Sequence, residues 1–161
     1  MPQRSLDAID RRILSHIQNQ GKLSNVQLAS LVGLSPSPCL ARVRSLEKEN
    51  IILQYVALVD PEALGLNVSV FIQVTLERQV EQALQAFESR MRAYPEVMEC
   101  YLMTGDADYL LRVVVRDMAE LQEFIVQKLS TIAGVANIRS SFSLKQVKYK
   151  TALPIAGGVE A

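Results

Sequence analysis

Apolar residues at Leu6, Ile9, Ile13, Leu14 and Ile17 recur in steps of three and four, which predicts a helix. Asp7 is placed to cap its start, and Gly21 to end it in a left-handed conformation. A second, short helix opens at Ser24, carries Val26, Leu28, Ala29 and Val32, and stops at Gly33. The third begins inside an odd stretch, LSPSPCLARVRSLEKENI, where Pro36 and Pro38 sit two apart. With Ser35 as the N-cap, Pro36 falls at the first helical position and Pro38 at the third. Amides there have no intrahelical acceptor, so both prolines mark a helix start rather than a break. At about 100° per residue, Cys39, Leu40, Val43 and Leu46 form one stripe. Ser37, Ala41, Arg44, Ser45 and Lys48 point away from it, with Arg42 on a flank.

Three helices with a short middle one and a glycine turn make a helix-turn-helix pattern. The stretch ILQYVALVDP is rich in β-formers and reads as a strand leaving the helical unit, and DPEALGL as a turn and boundary. The expected division is 1–60 and 61–161. Beyond it the rhythm changes. Val68, Val70, Ile72, Val74 and Leu76 alternate with Ser69, Phe71, Gln73, Thr75 and Glu77, a period-2 strand. Val80, Leu84, Phe87 and Met91 step by four, three and four, a helix stopped by Pro95. VMECYLM reads as a strand, TGDAD as a turn and YLLRVVVR as a strand. Met118, Leu121, Phe124, Ile125 and Leu129 make another helix, ended by Gly134, before Ile138, Ser140, Phe142 and Leu144 alternate once more. The fold class is α+β: a helical domain followed by a βαββαβ, ferredoxin-like sandwich. Two helices cover one face of its sheet. Phe71 and Tyr101, or their neighbours, are expected on the other face, and association of copies through it with them.

Composition narrows the function. In 161 residues, 17 Lys and Arg balance 17 Asp and Glu. The excess is two positive charges in 1–60 and two negative in 61–161, which allows the first part to meet nucleic acid without requiring it. No apolar run is long enough for a membrane helix, and MPQRSLDAIDRR lacks the apolar region of a signal peptide. The expected compartment is the cytoplasm. Cys39 and Cys100 lie in apolar segments without metal-ligand spacing, and are expected as buried thiols. The lone His16 has no second ligand or base nearby. No metal and no cofactor are expected.

The combination of LDAIDRRIL, LSPSPCLARVRSLEKENII, TGDADYLL and SSFSLKQVKYKTALP resembles the Lrp/AsnC (leucine-responsive/asparagine regulator) family of prokaryotic transcription factors. The likeness runs from about Leu6 to Pro154. It implies a winged helix-turn-helix joined by a strand to an effector-binding and assembly (RAM) domain. It also implies dimers built on the sheets, assembled further into tetramers or octamers. A small amino-acid effector would be held where dimers meet.

On that reading the partners are double-stranded DNA, further copies of the chain and an amino acid. Ser35 serves as cap, Ser37 reaches a phosphate, and Arg42 and Arg44 reach guanine edges or phosphates. Ser45 lies on the same face, and Lys48 suits the backbone. The plainer alternative is a solvated basic face. Resemblance carries effector contact onto Thr104, Gly105, Asp106 and Asp108. An amino acid needs an acceptor for its ammonium group, which Asp106 supplies. It needs donors for its carboxylate, from amides around Gly105 and hydroxyls of Thr104, Ser140 or Ser141. Leu102 and Met103 would line the apolar slot. The plainer alternative for both aspartates is a turn closed by side-chain hydrogen bonds. Two rivals stand beside regulation: an enzyme on the sandwich, for which no nucleophile–base pair is present, and a protein-interaction module.

Overall fold

The structure, a computed structural model, describes residues 5–157. The chain divides into two compact units: one reaches Leu58 and takes in the segment from Lys148 onward, and the other is Val59–Val147.

The first unit holds α1 (Ala8–Asn19), α2 (Asn25–Val32) and α3 (Pro36–Lys48). Asp7 caps α1 by accepting the Asp10 N–H at 2.8 Å. Ser24 and Gln27 form a reciprocal capping box on α2. Gly33, at φ 71°, ends α2 as a left-handed cap, with Gly33 and Leu34 amides closing on Ser30 and Ala29 carbonyls. Gly21 takes no such role: α1 ends on Gln20, whose amide bonds the His16 carbonyl, and Gly21 has no positive φ. Ile13, Leu28, Ala29, Val32, Cys39, Val43, Leu46 and Ile52 form the core between the helices. Leu40, expected in that stripe, is 36% exposed at its edge.

Two expectations change here. The segment 53–60 forms no strand among the described residues, and Leu53, Tyr55, Val56, Leu58 and Val59 are exposed. A β-rich sequence needs a neighbouring strand for its backbone groups, and within one chain none is beside it. The tail, expected with the second domain, lies with the first. Ile155 packs on the helical core, and the Gln18 side-chain amide both donates to the Leu153 carbonyl and accepts its N–H.

In the second unit a 3₁₀ turn (Glu62–Leu64) precedes β1 (Val68–Leu76), α4 (Glu81–Ala93), β2 (Val97–Leu102), β3 (Tyr109–Val115), α5 (Met118–Glu123) and β4 (Val135–Phe142). The sheet order is β2-β3-β1-β4, and every pair is antiparallel. Val70, Ile72 and Val74 of β1 and Leu111 and Val113 of β3 are fully buried with Phe87, Phe124 and Leu129 from the helices. After Glu123 the last helix widens into a π-helical stretch, Phe124–Leu129. Phe124 and Leu129, both in the apolar pattern read from the sequence, reach the core, and the wider π turn brings these residues, five apart, onto one side.

The opposite sheet face carries Phe71, half-buried, and Tyr101, 52% exposed, as expected. It is not simply apolar. Arg112 on β3 bonds Glu99 on β2 at 2.7 Å, and the Tyr101 hydroxyl donates to the same carboxylate.

Candidate functional site

The start of α3 is unusual in what it leaves open. Ser35 has the backbone of an N-cap, φ −75° and ψ 158°, yet its side chain makes no cap hydrogen bond. An N-cap hydroxyl accepts the amide of the second or third helical residue. Here the third is Pro38, which has no N–H. The hydroxyl expected to be used on the cap is therefore exposed at the helix tip beside Ser37. Cys39 N–H already bonds the Ser35 carbonyl, so Ser37 alone brings a first-turn amide free of the i→i−4 ladder. One amide, two hydroxyls and the positive end of a helix dipole make a small anion cradle.

Further along, Arg44 and Lys48 are exposed on the same helix. Arg42 is placed differently, half-buried and paired. Its Nη1 lies 2.7 Å from Asp7 Oδ2 and 2.8 Å from Asp10 Oδ1, so it joins α3 to the start of α1. Those partners hold the guanidinium's pKa above its ordinary value, the Asp7 hydrogen bond contributing most. The sequence read Arg42 as a base or phosphate contact; in the structure its Nη1 is held by two carboxylates, 32 and 35 residues earlier, that fold next to it. Ser45 stays near the exposed face, but its hydroxyl donates to Glu49 Oε1 at 2.7 Å. Asp7 was read only as a cap, and Asp10 was not singled out. No local pattern marks either as a partner of a residue so distant.

The second candidate region is the loop joining β2 to β3. Met103 N–H bonds the Asp108 carbonyl at 2.8 Å, closing a loop of Thr104, Gly105, Asp106 and Ala107. Gly105 sits at φ 128°, a conformation that L side chains rarely adopt. Thr104 and Asp106 are exposed at the tip, next to Leu102 and Met103, which are 60% and 44% exposed. Asp108 differs from them. It is 5% exposed, its Oδ2 accepts the Leu76 amide at 2.7 Å, and its Oδ1 accepts from Gln79. Both oxygens are engaged, so the side chain fastens the loop to the end of β1 and does not face a ligand. Gln79 was missed by the sequence reading, being one polar residue in a polar turn.

Ser140 and Ser141 do not join that loop within the chain. They lie on β4, with β1 between them and β3, roughly 10 Å away at strand spacing. Ser140 pairs with Ile72 and Ser141 with Phe71, so the two hydroxyls point to opposite faces. A cavity of about 370 Å³ between α4 and β2 is lined by Glu88, Arg92, Cys100, Leu102 and Tyr109 among others. One of about 520 Å³ between α5 and β4 is lined by Met118, Leu121, Ile125, Ser140 and Phe142 among others. Neither is lined by Thr104, Gly105 or Asp106. Cys39 is buried as expected, whereas Cys100 is exposed on the edge strand. Desolvation, then the Glu88 charge, still raises the Cys100 thiol's pKa.

Comparison with known proteins assigns both units. The profile of a winged helix-turn-helix DNA-binding domain matches residues 6–52, and that of the Lrp/AsnC ligand binding domain matches residues 69–153. The chain is 49% identical to the Bkd operon transcriptional regulator of Pseudomonas aeruginosa over 93% of its own length and 98% of that protein. It is 40% identical to the leucine-responsive regulatory protein of Klebsiella pneumoniae, covering 96% of this chain and 94% of that one. Among solved structures, a transcriptional regulator from Neisseria meningitidis in complex with L-Met is similar with a TM-score of 0.89 and 41% identity. That match covers 93% of this chain and 97% of the other.

Proposed function

The chain belongs to the Lrp/AsnC family of DNA-binding transcriptional regulators, and from that premise we propose that α3 reads its operator while the β2–β3 loop holds an amino-acid effector. It is a regulator with a ligand-binding domain, not an enzyme. The observation that carries the DNA reading is the open tip of α3. Ser35 and Ser37 meet a phosphate there, and Arg44 and Lys48 continue along the groove-facing side. Its place of action is the cytoplasm, where prokaryotic DNA lies. No helix among the described residues is long and apolar enough to cross a membrane.

For the effector, Asp106 offers the acceptor for an ammonium group and Gly105 exposes backbone without a side chain. Leu102 and Met103 supply apolar surface. The loop stands open on the unit's surface, and a second copy supplies the rest of the enclosure. Ser140 or Ser141 reaches the ligand only from such a copy. That a relative was crystallised with L-Met supports the amino-acid class. The effector shifts assembly and DNA binding by its difference in affinity between assembly states. Phe71 and Tyr101 on the uncovered sheet face favour pairing of copies, with the Glu99–Arg112 pair fixing the register.

The test has two arms. Arg44→Ala weakens operator binding and flattens its dependence on salt, while unchanged affinity and slope reject α3's assigned face. Asp106→Ala keeps DNA binding and abolishes the change in sedimentation that an amino-acid screen identifies in the parent. A variant that responds like the parent rejects the loop.

A further inference from the structure

We propose that Arg42 is a positioning residue: with Asp7 and Asp10 it fixes the setting of α3 against α1, and so the presentation of the reading face, without touching DNA itself. This rests on α3 being the reading helix. The geometry behind it is a three-residue clamp. Asp7 works on two fronts, since Oδ1 accepts the Asp10 amide at 2.8 Å and Oδ2 takes Arg42 at 2.7 Å. Asp10 is 1% exposed and meets the same guanidinium nitrogen at 2.8 Å. A buried carboxylate strongly favours a partner that offsets its desolvation, so Arg42 has one setting rather than many. Arg42 is seven residues into α3, and Ser35, Ser37 and Arg44 lie within two turns of it. Any rotation of α3 that moves those groups on the groove stretches the clamp. Arg12 adds a second brace, donating from Nη2 to the Val32 carbonyl at 2.7 Å and fixing α2 to α1. The Asn25 side chain reaches the Pro36 carbonyl at 2.8 Å and ties α2 to the first residue of α3. The clamp is the contact among these that acts on α3 from α1 directly.

Positioning and phosphate contact leave different signatures. A cation on a phosphate contributes about one unit to the slope of log affinity against log salt. A positioning residue contributes nothing to the slope and acts on the duplex that needs an aligned reading face. Removing Asp10's negative charge should strengthen binding if only long-range attraction mattered. Under positioning it weakens binding.

The experiment uses the full chain, a duplex selected from a random pool by the parent protein, and a scrambled duplex of the same length. Affinities are read by fluorescence anisotropy over a salt series. Arg42→Met and Asp10→Asn are each expected to lose about tenfold on the selected duplex, keep the parental salt slope, and leave scrambled-duplex affinity unchanged. The double variant loses no more than the worse single one. Arg42→Lys keeps the charge and can reach one carboxylate, which preserves folding. It is expected to lose part of the selected-duplex affinity at constant slope. Parental binding by Arg42→Lys overturns the proposal, as does tighter binding by Asp10→Asn, a slope lower by about one unit in Arg42→Met, or an equal loss on both duplexes. Arg44→Ala in the same series tests the reading helix separately. If Arg44→Ala is silent, the α3 assignment fails, whatever the clamp variants show.

Discussion

Removing the carboxylate of Asp108 should unfasten the β2–β3 loop from the end of β1. In the native unit this side chain is 5% exposed, and it accepts the Leu76 amide at 2.7 Å and the Gln79 side chain. Asp108→Ala leaves the Leu76 N–H buried without an acceptor, a loss of about 1–3 kcal/mol, and removes a charge-assisted bond to Gln79, about 1 kcal/mol more. The sum is roughly 2–4 kcal/mol. In a unit of this size each kcal/mol moves the unfolding midpoint by about 4–8 °C, so a fall of roughly 8–32 °C is expected. Asp108→Asn keeps one oxygen for Leu76, and Gln79 can turn its amide to meet the new NH₂. Its loss should be about 1 kcal/mol. Differential scanning calorimetry at fixed protein concentration reads both, since assembly makes the midpoint concentration-dependent. Two results would refute the reasoning: Asp108→Ala unfolding within about 2 °C of the parent, or Asp108→Asn falling as far as the alanine. A silent midpoint with a lost effector response would return Asp108 to the ligand.

Other consequences are as direct. Ser35→Ala should cost less than about 0.5 kcal/mol of stability, against about 1 kcal/mol for Ser24→Ala, because only Ser24 makes its cap bond; equal losses in urea titrations would show that Ser35 caps in solution. The same Ser35→Ala should weaken duplex binding, and Ser24→Ala, compared where both are folded, should not. Asp7's pKa is lowered, first by the Asp10 amide and then by Arg42. A depressed carboxylate contributes stability above its unfolded value of 3.8, lost as pH falls through the lower folded value. Asp7→Asn should therefore remove part of the acid sensitivity of the helical unit below about pH 4, and an unchanged acid-unfolding curve would count against the clamp. Ile155→Ala, in a tail side chain that packs on the helical core, should destabilise the first unit by about 1–2 kcal/mol and leave the sandwich transition unmoved; the reverse pattern in calorimetry would place the tail elsewhere.

Element order, helix starts and the two faces of β1 were legible along the chain because each depends on neighbours in sequence. Asp7, Ser24 and Gly33 act on amides within a turn, and Val70, Ile72 and Val74 alternate with the residues they flank. Ser35 departs from this: the sequence reads it as the cap, yet Pro38 at the third helical position has no N–H to give, and the structure leaves its hydroxyl without a cap bond. The family likeness pointed to the β2–β3 loop as the proposed effector site, and the structure leaves Thr104 and Asp106 exposed at its tip.

Folding alone decided which charges face outward. Arg42 and Arg44 are two residues apart, one on a flank and one on the outward face of the helix, and the sequence reads both as DNA contacts. Asp7 and Asp10 engage the first from 35 and 32 residues away and leave the second exposed. Asp106 and Asp108 also look alike, until the end of β1 presents the Leu76 amide to one of them. The tail's return to α1, the π turn at Phe124 and the separation of Ser140 from the loop follow the same rule. Short-range preferences set where each element begins and which side is apolar. An ion pair or a buried hydrogen bond between distant residues exists only after packing has brought the partners together and excluded water from them.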